Sequence, residues 1–152
     1  MWFRVFGTND ARIEPAELLE HLQSRGFAVE GSFRGDDLGW FAAELVVAAD
    51  DAPVQLERFL SSEEGIRAEL NTWAGWLETC DYSPNHQRLM QHVVSTTQLF
   101  TLRNPIDRTN ETVIEKVCQE LCVFLAQRTD GVYQIDDRGF FAADGTLLLQ
   151  EI

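Results

Sequence analysis

Residues 27–47, FAVEGSFRGDDLGWFAAELVV, carry the pattern that decides the fold. Over 27–34, apolar residues alternate with polar ones, as is typical of a β-strand with one buried side. The segment GDDLG combines glycines and aspartates, which favour turns, and residues 40–47 form a second apolar segment after it. The stretch therefore predicts a β-hairpin.

A strand and a helix are predicted to precede this hairpin. The N-terminal residues MWFRVF predict a short strand over 2–6. Pro15 stands where a helix favours its first residue, and leucines follow it at helical spacing. Gly26 supplies the left-handed backbone that ends many helices. Residues 2–47 thus predict the order strand, helix, strand, strand.

The same order recurs over residues 99–149. The segment LFTLR (99–103) predicts a strand, and Thr109 or Asn110 is predicted to cap a helix that Gly131 ends. The apolar segments VYQI, GFFAA and TLLLQ follow, with turns between them. The wide apolar stripe of this helix predicts that it is central to the core.

Residues 52–97 lie between these two regions and predict a helical insert with three helices. Pro53 is predicted to open the first of them, VQLERFL. Ser61 and Glu64 fit a capping box ahead of the second helix. Pro84 is predicted to open the third.

The predicted architecture is one domain over 1–152, built from pseudo-repeat halves 2–47 and 99–149 joined by the insert. Units of this order pack as antiparallel sheets with helices on one face, so the predicted class is α+β with two layers. The order resembles duplicated ferredoxin-like folds and the tandem modules of gyrase-inhibitor-like drug-sensing domains. The likeness lies in element order alone and implies no site residue.

The charge of the chain limits its partners. Its 25 acidic and 12 basic residues give a net charge of −13, which repels nucleic-acid backbones and anionic membranes. We therefore expect neither partner. Three cysteines, an odd number, and an N-terminal segment without the regions of a secretory signal predict reduced thiols and a cytoplasmic location.

No metal or cofactor site is predicted. Cys118 and Cys122 share one face of the predicted helix, but further ligands at zinc-site spacing do not accompany them, so we expect core packing. The segment DDRGFFAADG lacks the alternating acids of a calcium loop and predicts a pair of turns. His21 and His92 are expected on the solvent sides of their helices.

Cys80 and His86 are weak catalytic candidates. A nucleophilic thiolate needs a base, and the predicted end of one helix brings Cys80 near the first turn of the next, where His86 lies. The alternative is a packed thiol and a histidine bonded to another group. A hydrogen bond between the two side chains would favour catalysis.

Trp40, Glu44 and Trp76 are candidate ligand-binding residues. In a regular strand Trp40 faces the same side as Glu44, and Trp76 lies at the edge of its helix stripe. Two tryptophans with a carboxylate between them suit a flat or cationic ligand. The alternative is that both tryptophans line the rim of the core.

Three functions remain open on sequence alone. The first is a non-catalytic cytoplasmic module that binds a protein partner or itself; we expect a homodimer because short strands expose sheet edges. The second is a small-molecule binder with an aromatic and acidic cleft. The third is an enzyme that uses Cys80 and His86. We favour the first, because the sequence contains no catalytic motif.

Overall fold

The computed structural model describes residues 1–47, 52–104 and 111–151. Over these residues it contains four helices and eight strands, in one antiparallel sheet of order β2-β3-β4-β5-β1-β6-β7-β8. The predicted α+β class is confirmed. In chain order the elements are β1 (Trp2–Gly7), α1 (Pro15–Ser24), β2 (Glu30–Asp36), β3 (Gly39–Val46), β4 (Val54–Leu60), α2 (Ile66–Glu78), α3 (His86–Val94), β5 (Gln98–Arg103), α4 (Glu111–Arg128), β6 (Val132–Ile135), β7 (Gly139–Ala142) and β8 (Leu147–Gln150). The predicted caps Thr109 and Asn110 lie outside the described residues.

Both ends of the chain follow the order strand, helix, strand, strand, and each adds one more strand: β4 in the first half and β8 in the second. Their placement in the sheet differs. After α1 the chain goes to the outer edge and returns inward through β3 and β4, whereas after α4 it continues beside β1 and runs outward. Superposition of the two halves stays a prediction.

The helices cover both faces of the sheet. Phe3 and Val5 of β1 pack in a core with α1 and α4, whereas Phe6 packs in a second core with α2 and α3. Successive residues of a strand point to opposite faces, so each of the two apolar sides of β1 needs its own cover. The prediction of helices on one face is therefore wrong, and the molecule has three layers. We call the two sides the α1/α4 face and the α2/α3 face.

The segment VQLERFL, predicted as the first helix of the insert, is strand β4. Val54 and Leu56 are buried two residues apart on the α1/α4 face, and Phe59 packs against the core of the other face. The same residues also fit helical spacing, which is why the sequence was ambiguous. β4 lies between β3 and β5, where both of its edges are paired. The other two predicted helices of the insert are α2 and α3.

Helix α4 fills the middle of the α1/α4 face. Its buried residues recur on most sides of the helix, as a central position requires. They are Ile114, Val117, Cys118, Leu121, Cys122, Leu125 and Ala126. The two cysteines are core residues, as predicted, and none of the three cysteines of the chain forms a disulfide.

The two helix ends marked by glycine differ in physical cause. Gly26, after α1, has a φ of +89°, the left-handed backbone that the sequence predicts. After α4 the left-handed residue is Asp130, with a φ of +49°. Gly131 is needed for another reason: a Cβ there would lie 2.7 Å from the carbonyl oxygen of Phe6.

Candidate functional site

Trp40 lies inside the core of the α1/α4 face. The register between β2 and β3 shifts so that Phe41 is an extra residue, a β-bulge, and Trp40 falls on the side of Ala43 and Leu45. The prediction that it faces the same side as Glu44 is therefore wrong. Its side chain is buried, and its indole Nε1 donates to the carbonyl of Ile13 at 2.7 Å.

The other two candidate ligand residues lie elsewhere. Trp76, on α2, is half-buried on the α2/α3 face and stacks on Phe140 of β7, with ring centroids 6.1 Å apart. Glu44 is exposed on β3, and four strands separate β3 from β7 in the sheet. The structure therefore does not bring Trp40, Glu44 and Trp76 together in one cleft.

Cys80 and His86 both contact the C-terminal end of α2, as their positions in the sequence suggested. The buried thiol of Cys80 contacts the carbonyl oxygen of Trp76 at 3.4 Å, and Nδ1 of His86 lies 3.3 Å from that of Leu77. Among the contacts of the described residues, no hydrogen bond joins the two side chains. Each side chain has a backbone partner, as expected if Cys80 is a packed thiol and His86 is bonded to another group.

His21 and His92, expected in solvent, are both partly enclosed. His21 stacks on Phe124 at 4.3 Å between ring centroids and contacts Glu120 at 2.8 Å. Nε2 of His92, on α3, lies 3.2 Å from the carbonyl oxygen of Phe6. Burial lowers the pKa of His92, and the charge of Arg88 lowers it further.

The two outer edges of the sheet differ in how their main chains are satisfied. At β8, Tyr82 donates to the carbonyl of Gln150 at 2.8 Å, while Ser83 and Asn85 donate to the carbonyl of Leu148 at 3.2 and 2.9 Å. These carbonyls are therefore not available to another strand. The turn before α3 blocks this edge within the chain itself.

At the opposite edge, β2 pairs with β3 and with no other strand. Within the described part of the chain, no side chain hydrogen-bonds to the main chain of β2. Glu30, Ser32 and Arg34 alternate along this strand and are all exposed. β2 is thus a strand of seven residues with one unpaired edge. The sequence could not show this edge, because the order of strands in a sheet depends on contacts between distant residues.

The described residues contain neither a metal-ligand cluster nor a membrane-spanning helix. No three His, Cys, Asp or Glu side chains converge there as metal ligands. None of the described helices has the length and apolar character needed to cross a membrane. The chain matches no protein-family model, no curated protein and no solved structure.

Proposed function

We propose that this protein is a non-catalytic cytoplasmic interaction module that accepts a strand of a partner at β2, and that the partner is a second copy of the chain. The observation that carries the proposal is the difference between the two edges: side chains occupy the carbonyls of β8, whereas the main chain of β2 has an open side. An open edge is a template for adding a strand.

The charges of β2 favour a second copy. In an antiparallel pair with a two-fold axis through Ser32, Glu30 of one copy lies opposite Arg34 of the other, and the pair occurs twice. Opposite charges in such cross-strand positions stabilise by about 0.2–1 kcal/mol each. If the axis moved to Phe33, Glu30 would lie opposite Asp36, and like charges would repel. The charge pattern therefore selects one register.

An apolar groove runs beside the same edge on the α1/α4 face. It has a volume of about 770 Å³, and its apolar lining includes the half-buried side chains of Leu19, Phe27 and Val29. Glu20 and Glu30 also line it. Burial of apolar surface is the main favourable contribution to association. A second copy added at β2 would cover this groove and gain that contribution.

The two alternative functions have less support. A binder that uses Trp40, Glu44 and Trp76 needs these residues in one cleft, and they are far apart in the fold. An enzyme that uses Cys80 needs a base beside it, and His86 bonds a backbone carbonyl instead. The absence of disulfides among the three cysteines supports the proposed cytoplasmic location.

Sedimentation equilibrium with charge-reversal variants tests the proposal. Glu30→Arg or Arg34→Glu replaces two attractive pairs with two repulsive ones, so each should weaken dimerisation by roughly tenfold or more. The double variant restores opposite charges and should recover most of the affinity. Glu57→Arg, on β4 and away from the edge, is the control and should leave the dimer unchanged.

Two results would contradict the proposal. One is a mass of 17.3 kDa that persists to high micromolar concentration. The other is a dimer that both single reversals leave intact, since the contact would then lie elsewhere.

A further inference from the structure

A small cavity lies between the start of α1 and the β2–β3 hairpin, with Trp40 in its wall. Its volume is about 260 Å³. Arg12 and Arg58 both line it, and Gly39 lies between them: the position of a Cβ on Gly39 is 3.4 Å from Nη1 of Arg58 and 3.9 Å from Nη2 of Arg12. Arg34 of β2 lines it too, so three arginines border one small space in a strongly acidic protein.

The guanidinium of Arg58 hydrogen-bonds to uncharged groups. Its Nε donates to Oε1 of Gln98 at 2.9 Å, and its Nη1 donates to the carbonyls of Leu38 and Trp40 at 3.2 and 3.0 Å. In the described part of the chain, no carboxylate lies within ion-pair distance of it. Burial lowers the pKa of Arg58, and the charge of Arg12 lowers it further. A positive charge is therefore partly buried beside the cavity, and a bound anion would offset the free-energy cost of that burial.

The carboxylates near this cavity leave Arg12 and Arg58 accessible. Glu14 contacts Nε of Arg12 at 3.4 Å, but both side chains are more than half exposed, and such pairs contribute little. Asp36 also lines the cavity, and its Oδ1 accepts the backbone N–H of Leu38 at 2.8 Å. Glu63 and Asp10 act on Arg58 only from a distance.

The start of α1 borders the cavity. Glu14, the N-cap residue, makes no side-chain capping bond, and both Glu14 and Pro15 line the space. The first N–H groups of a helix lack partners inside the helix, and its N-terminus carries a partial positive charge. Pro15 has no N–H group, and the carboxylate of Glu14 offsets that partial charge, so the arginines supply the positive charge of the cavity.

We infer that this cavity binds the phosphate group of a small molecule, with Arg12 and Arg58 as its ligands. A phosphate monoester carries between −1.5 and −2 charges near neutral pH, which matches two guanidinium groups better than a single carboxylate does. The Nε–H and both Nη1–H groups of Arg58 are already donated, so its Nη2 group is the one left for a phosphate oxygen, to which such charged hydrogen bonds are strong. The volume admits a phosphate with a short organic part, and β2 contributes Arg34 and Asp36 to the wall.

Isothermal titration calorimetry of the full chain at low ionic strength tests the inference. Inorganic phosphate and phosphoserine should bind saturably in the millimolar range or below, and acetate should bind at least about tenfold more weakly. Tighter binding of phosphoserine than of phosphate identifies a phosphorylated small molecule as the ligand; the reverse identifies free phosphate. Arg12→Ala should weaken binding by roughly tenfold, the loss expected for one charged hydrogen-bonding partner.

Arg58→Gln should weaken binding similarly, and NMR spectra will show whether this variant folds, since Arg58 also bonds β3. Arg12→Ala keeps the test decisive if it does not, because the one ion pair of Arg12 among the described residues is the exposed contact with Glu14. Arg88→Ala removes an exposed positive charge on α3 and is the matched control. The inference is overturned if wild type binds no phosphate at 10-millimolar order concentrations, or if Arg88→Ala weakens binding as much as Arg12→Ala.

Discussion

The two faces of the sheet are covered to different extents. On the α1/α4 face, buried or half-buried apolar residues occur on every strand from β2 to β7. On the α2/α3 face, the core extends over β5, β1, β6, β7 and β8 and reaches β4 only at Phe59. One face is therefore apolar across nearly its whole width, and the other changes from apolar to polar part of the way across. A helical layer needs to extend only as far as the apolar side chains do.

The polar part of the α2/α3 face is visible in the strand register. Arg34, Ala42, Glu57, Thr101 and Arg4 lie side by side on five neighbouring strands. Charged residues of opposite sign alternate in this row with small or polar ones. Arg34 and Glu57 are exposed, whereas Arg4 lies over the ring of Trp73.

The largest effect is expected in the fully covered face. Leu121 is completely buried in α4, so Leu121→Ala should lower the free energy of unfolding by about 2–5 kcal/mol. Chemical denaturation measures the loss, and Leu147→Ala, at a leucine that is 48% exposed, is the control. A loss below about 1 kcal/mol would place Leu121 near the surface and remove the contrast between the faces.

A smaller effect on stability, dependent on pH, is expected at His92 of α3 on the α2/α3 face. The folded state lowers the pKa of His92 below its ordinary value of 6.5, so the unfolded chain binds the proton more readily. Stability should therefore fall as the pH decreases below about 6.5 and through the folded pKa. His92→Gln should remove this part of the pH dependence, as measured by urea unfolding at a series of pH values. Arg88 and Asp130 act on His92 in opposite directions and should be kept unchanged. An unaltered profile in the variant would show that His92 is solvated.

The smallest effect is expected in the polar part of the α2/α3 face. Glu57 is exposed on β4, with Ala42 and Thr101 beside it. Glu57→Gln should change the free energy of unfolding by no more than about 0.5 kcal/mol, because surface substitutions away from a cap or buried network are mild. A loss several times larger would mean that the row is covered by another part of the protein.

The elements themselves were largely predictable from the sequence, and their arrangement was not. Local signals located β2, β3 and α1. They are the alternation of apolar and polar residues over 27–34, Pro15 at the start of the helix and Gly26 after its end. The apolar residues of β1 lie on both of its sides and are covered on both faces, whereas the predicted two-layer fold covered only one. The segment VQLERFL fits both the helical and the strand periodicity. Its pairing with β3 and β5 makes it a strand.

The candidate sites were harder to predict for the same reason. The bulge at Phe41 turns Trp40 into the core, and no local signal marks it. Cys80 and His86 were expected near one another, and both contact backbone carbonyls at the end of α2, which the sequence could not show. The open edge of β2 and the arginine pair both depend on strand order, which brings Arg58 beside Leu38, twenty positions earlier in the chain.

The position of β5 between β4 and β1 has a consequence for synthesis of the protein. When the ribosome has made the first 97 residues, β1 and β4 have each been translated, but the strand that joins them has not. Until Gln98–Arg103 emerges, the first half of the chain has two separate strand regions whose inner edges are both bare. The sheet therefore becomes continuous only after β5 enters the gap.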